Sequence, residues 1–132
     1  MVNSVFLQCK FLEIVKSNPF TTINMISIIL VIFAAICNAV MDNIKDHWYK
    51  SVFNSKRFNR QWWDPEVSWQ NKSKRIVWIS DAWHLFKSLM IILLCASIVT
   101  YTPLFGLWDI LIFGTVWNLT FSLFYNKILI RK

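Results

Sequence analysis

Three long stretches of this chain lack any Lys, Arg, His, Asp or Glu: residues 17–41, 88–107 and 110–126. A helix rises about 1.5 Å per residue and a bilayer core is about 30 Å thick, so crossing takes roughly 20 apolar residues. The runs reach or approach that length. A soluble domain of 132 residues that is 56% hydrophobic would have too little interior to hide them. The pattern therefore predicts an all-α membrane protein, a single membrane domain over 1–132, with three transmembrane helices near 22–42, 76–101 and 104–126. Residues 2–16 read as an interfacial helix: Val5, Phe6, Cys9, Leu12, Ile14 and Val15 form an apolar face opposite Gln8, Lys10 and Glu13.

Charge placement sets the expected topology. The net charge is +7, and its basic residues are concentrated in the 43–75 loop (Lys45, Lys50, Lys56, Arg57, Arg60, Lys72, Lys74, Arg75) and at the C-terminus (Lys127, Arg131, Lys132). The turn at Tyr101-Thr102-Pro103 carries none. The positive-inside rule then puts the loop and the C-terminus in the cytoplasm and the N-terminus outside. Basic residues beside a span suit anionic lipid headgroups, so membrane lipids are the expected partners and nucleic acid is not. Cys9, Cys37 and Cys95 are scattered and read as small apolar fillers, not as a disulfide framework. Asp64-Pro65 marks a turn in the loop, and Trp62, Trp63 and Trp69 read as headgroup-level anchors folding the loop back on the membrane. Asp109, one turn from the outer end of the third span, is expected to snorkel to water.

The exception to apolarity lies at the start of the second span, where Asp81, His84 and Lys87 fall within seven residues. Ionisable groups at membrane depth are costly and usually mark a site. Asp81, His84 and Ser88 share a face by their i, i+3, i+7 spacing. Asn38, Asp42, Asp46 and Tyr49 form a stripe on the first span if its helix runs on through the loop. Asn118, Ser122 and Tyr125 form another on the third. Counting inward from the cytoplasmic side puts all three sets at one level, so a three-walled polar site is expected under the loop.

Several chemistries fit such a site. Asp81 and His84, one turn apart, with Asp42 and His47, could ligate a divalent metal of the Zn, Mn or Fe type. Asp81, His84 and Asp42 could instead act as acid–base residues on a lipid headgroup held by Lys87, Asn38 and Asn118. Intramembrane Asp/His chains also serve as proton relays, so an ion or proton channel, a transporter or a holin-like pore subunit is the alternative. Three spans are too few to enclose a pathway, so that reading requires a homo-oligomer. Haem between His47 and His84, an accessory subunit of a larger membrane complex, and a cluster that only glues helices together complete the range.

The strings Cys37–Asp42, His47–Phe53, Trp62–Pro65 with Ser68–Lys72, and Ser80–Lys87 are similar to those of small integral membrane proteins from bacterial and phage genomes. The resemblance covers about residues 37–90. It implies a membrane location, and it carries no activity and no functional residue. Size and layout also resemble the small membrane diacylglycerol kinases, whose glutamate-rich motif is absent here, so that likeness is one of architecture.

Overall fold

The computed structural model describes residues 19–70, 80–103 and 105–131, with side chains from residue 25 and excluding 69–70. The expected interfacial helix at 2–16, Trp69, Lys72, Lys74 and Arg75 lie outside these limits. Five α-helices are described: α1 (Pro19–Asp46), α2 (Arg60–Trp63), α3 (Pro65–Gln70), α4 (Ala82–Thr100) and α5 (Trp108–Leu123). A 3-10 turn at Trp48–Lys50 follows α1, and one π-helical turn at Phe124–Ile128 continues α5. Strand pairing among the described residues is confined to one antiparallel bridge, Ser51 with Ile130.

Helix α1 is the centre of the bundle. It opens on Pro19, whose fixed φ and missing N–H suit a first helical turn. It packs against both α4 and α5, which themselves barely touch. It buries a run of small residues, Ser27, Ala34, Ala35, Cys37 and Ala39, together with Val31 and Val40, and towards its C-terminal end Met41, Asn43 and Ile44. Many large apolar side chains point outward, including Ile29 and Phe33 on α1, Ile92, Ile98 and Val99 on α4, and Ile110, Leu111 and Leu119 on α5. Small residues inside and large ones outside is the arrangement that lets helix backbones approach in an apolar solvent.

Two helical segments, Met25–Asp46 and Ala82–Thr100, are long and apolar enough to cross a bilayer. The third expected span is shorter: α5 has 16 residues, roughly 24 Å of helix, before the π-turn. The second span also starts later than expected. Helix α4 begins at Ala82, because Asp81 has extended dihedrals and caps it.

The loop after α1 does not prolong that helix. His47 leaves the helical region at φ −129, and Trp48 turns inward to join Ile44 and Ala82 in a buried cluster. Tyr49, expected on the α1 stripe, is 81% exposed. Farther on, Asn59 caps α2 by accepting from the Gln61 amide at 3.0 Å. Buried Asp64 takes the Arg60 guanidinium Nε at 2.9 Å and the Glu66 amide at 3.0 Å, locking the α2–α3 corner. The Trp63 ring stacks on Phe53 at 4.3 Å and reaches Phe86 of α4 at 6.0 Å. The loop thus folds back onto the helix ends, with Trp63 packed between Phe53 and Phe86. The C-terminal tail closes the same end: the Val52 amide donates to Leu129 O at 3.0 Å and the Arg131 amide to Lys50 O at 2.8 Å.

Candidate functional site

The expected constellation divides. Its strongest part is the Asp81–His84 pair at the start of α4. Asp81 is 3% exposed and is the N-cap, where its Oδ1 accepts from the His84 amide at 2.9 Å. An N-cap side chain satisfies one of the amides that the first turn leaves without a carbonyl partner. The helical turn that puts His84 at that position also brings its ring back over the cap. Nδ1 lies 2.9 and 2.8 Å from the two carboxylate oxygens of Asp81. An ionised carboxylate can only accept, so it holds the proton on Nδ1 and leaves Nε2 as the basic nitrogen. Ser88 donates from Oγ to His84 O at 2.9 Å, and Ser80 Oγ lies 3.5 Å from Asp81 Oδ2.

A cleft of about 570 Å³ opens beside this pair. Lys45 from the last turn of α1, Glu66 and Ser68 from α3, and Trp83 complete its wall with Asp81 and His84. Sequence reading missed these four contributors. Lys45 and Glu66 looked like ordinary loop charges, because only the packing of α1 on α4 and the folding back of residues 59–68 bring them together. Lys87, expected within the site, lies over the Trp83 ring at 4.8 Å, a cation–π contact on the exposed side of the helix.

The other expected residues lie elsewhere. Asn38 donates from Nδ2 to Asp42 Oδ2 at 3.4 Å along α1, and neither lines the cleft. His47 sits with its ring 5.3 Å from Tyr125. Tyr125 itself packs against the apolar Ala39–Val40–Leu129 cluster. Asn118 is exposed and back-bonds to Gly114 O at 2.9 Å, while Ser122 is exposed and accepts from Asn126 at 3.2 Å. The predicted third wall is therefore not assembled. Among the described residues no three His, Cys, Asp or Glu side chains gather closely enough to hold a metal ion. Asp81 and His84 Nδ1 would have to release each other to act as two metal ligands.

Asp109 reverses its expectation. It does not snorkel: it is 4% exposed, and it accepts from the Tyr101 hydroxyl at 2.6 Å and from the Phe105 amide at 3.1 and 3.2 Å. The turn between α4 and α5, with Gly106 at φ 64, brings these groups together. Hydrogen bonding to Asp109 raises the Tyr101 phenol above its ordinary value, reinforced by desolvation and the carboxylate's charge.

No protein-family model, curated protein or solved structure matches this chain. The class that fold and site define is a small helical protein, two of whose helices could cross a membrane, with a polar cleft at one end of the bundle.

Proposed function

We propose that this chain is a polytopic membrane protein whose Asp81–His84 cleft binds the phosphate-bearing headgroup of an anionic lipid on the cytoplasmic side. In this reading α1, α4 and α5 all cross the bilayer, and the basic loop and C-terminal tail lie in the cytoplasm. Supporting the membrane assignment, α4 is apolar yet little of it is buried, unlike the core helix of a soluble protein.

The observation that carries the headgroup reading is the convergence of Lys45, the carboxylate-held His84 imidazole and the N-terminus of a 19-residue helix on one cleft. Helix N-termini and Lys both favour phosphate. When His84 is protonated, Asp81 balances and orients the imidazolium through Nδ1, and the Nε2–H can donate to the phosphate. Glu66, on the opposite wall, supplies a second acceptor for a headgroup hydroxyl or amine.

A second reading follows from the same pair. An imidazole whose Nδ1 is held by a buried carboxylate is the arrangement of a general base, so Nε2 could take a proton from a headgroup hydroxyl. In the cofactor version a divalent ion would bridge His84 Nε2 and the lipid phosphate, with Asp81 keeping its hold on Nδ1.

Binding of soluble short-chain phosphatidic acid, phosphatidylglycerol and phosphatidylcholine to the purified chain tests the proposal. The two anionic lipids should bind more tightly than the zwitterionic one. Lys45→Ala and His84→Ala should remove that preference while the helical circular dichroism stays unchanged. Equal binding of all three lipids, or no effect of either substitution, would sink it. Elemental analysis of the wild type and His84→Ala decides whether a metal takes part.

A further inference from the structure

The second large cavity lies far along the bundle from the cleft. Because α4 and α5 barely touch, a groove of about 560 Å³ runs between them, with Val31 of α1 among the residues lining it. Leu94 and Ile98 line the α4 side, and Phe113 and Trp117 the α5 side. Tyr101 and Asp109 stand together in the same wall. A Cβ placed on Gly114, which also lines the groove, would meet nothing within 4 Å.

Apart from Asp109, Ser97 and the Tyr101 hydroxyl, the groove is lined by apolar groups. Both Asp109 oxygens accept hydrogen bonds, Oδ1 from the Phe105 amide and Oδ2 from the Tyr101 hydroxyl and the same amide. A carboxylate in its ordinary ionised form accepts on both oxygens in this way. The Tyr101 ring meets Phe113 edge-on at 5.5 Å and 86°. Three aromatic rings, Tyr101, Phe113 and Trp117, line the same groove as this buried carboxylate. Ring faces attract cations, and the attraction grows where water is excluded.

We propose that this groove binds a lipophilic organic cation, its apolar body between α4 and α5 and its charge against the ring faces and Asp109. Charge complementarity selects that occupant. A neutral hydrocarbon would fill the same volume without using the carboxylate, and an anion would be repelled by it.

Tetraphenylphosphonium and tetraphenylborate have the same shape and opposite charge, so they test the proposal directly. Equilibrium dialysis against the full chain in uncharged detergent micelles, with empty micelles subtracted, should show saturable binding of the cation only. Asp109→Asn should weaken it by about tenfold or more, the effect of removing a desolvated charge partner. Gly114→Leu, which fills the groove and leaves Asp109 and Tyr101 in place, should abolish it, so the test survives if the Asp109 variant does not fold. Equal binding of the two ions, no saturable binding of either, or a folded Gly114→Leu that binds normally would each overturn the proposal.

Discussion

The hydroxyls of Ser27 on α1 and Ser97 on α4 each donate to the other residue's backbone carbonyl, at 3.3 and 3.2 Å. Thr100 joins them, its Oγ1 lying 2.9 Å from Ser27 Oγ. Such a reciprocal pair forms only where two helix backbones approach closely, as the small side chains of Ser27 and Ser97 allow. Ser97→Ala should cost about 0.6 kcal/mol, the average for an interhelical hydrogen bond in a membrane protein. Ser97→Leu should cost more, about 1–3 kcal/mol, because the larger side chain forces the helices apart. Reversible unfolding in mixed micelles measures both, and a Ser97→Leu protein as stable as the wild type would refute the close-packing account.

Asp81 serves two purposes that substitution can separate. Asp81→Ala removes the cap of α4 and should destabilise the protein by about 1 kcal/mol. Asp81→Asn keeps an N-cap acceptor and should stay within about 0.5 kcal/mol of the wild type. It loses the carboxylate that balances His84. Anionic-lipid binding that falls in both variants, with stability falling only in the first, is the expected pattern.

Tyr101 should titrate late. Its folded pKa is raised, chiefly by donating to Asp109, so the hydrogen bond adds stability at every pH below the ordinary tyrosine value of about 10. That contribution is lost as the pH rises through the higher folded value. Ultraviolet absorbance should show phenolate appearing later than in the unfolded chain, and Tyr101→Phe should reduce that late component by one phenolate. A difference spectrum already complete at the ordinary tyrosine value would contradict the bond.

Asn43 is the costliest polar residue in the bundle. It is fully buried, and neither its Nδ2 nor its Oδ1 has a hydrogen-bond partner. A buried amide left in that state costs about 1–3 kcal/mol. Asn43→Leu, with the same number of side-chain heavy atoms and a similar branched shape, should therefore stabilise the protein, by less than that amount where its bulkier methyl groups crowd the site. Thermal denaturation checks the sign, and a loss of stability would mean that an ordered water satisfies the amide.

Trp63 ties the loop to α4 through Phe53, Phe58 and Phe86. Trp63→Ala should cost about 1–3 kcal/mol. It should also speed tryptic cleavage at the exposed Lys56 and Arg57. Unchanged cleavage would show that the loop is held by other contacts.

Much of the helical plan was legible in the chain. Runs without charge locate α1, α4 and α5, because helix length and apolar content are local properties. The Asp81–His84 pairing was legible too, since i, i+3 spacing brings two side chains together whatever surrounds them. The start of α4 was misjudged by treating Asp81 as an interior helical residue. An acidic side chain just ahead of an apolar run is also a cap signal, and that local rule wins. Asp109 was misjudged because its partners, Tyr101 and the Phe105 amide, are brought to it by the turn at Gly106. Asn118 and Ser122 were assigned inward from spacing, which groups residues on one face without saying which way that face points.

The sequence by itself determined an all-helical chain, two helices apolar enough to cross a bilayer, a basic loop, and the one-turn contact between Asp81 and His84. All of these follow from periodicity and from neighbours within about one helical turn. Tertiary structure decided that Lys45 and Glu66 join the Asp81–His84 cleft while Asn38, Asp42, His47 and Asn118 do not, and that α4 and α5 part to leave a groove beside Asp109. Those outcomes depend on how each helix rotates about its axis and how the loop folds back. Both are set by contacts between distant residues, such as Ser27 with Ser97 and Trp63 with Phe86.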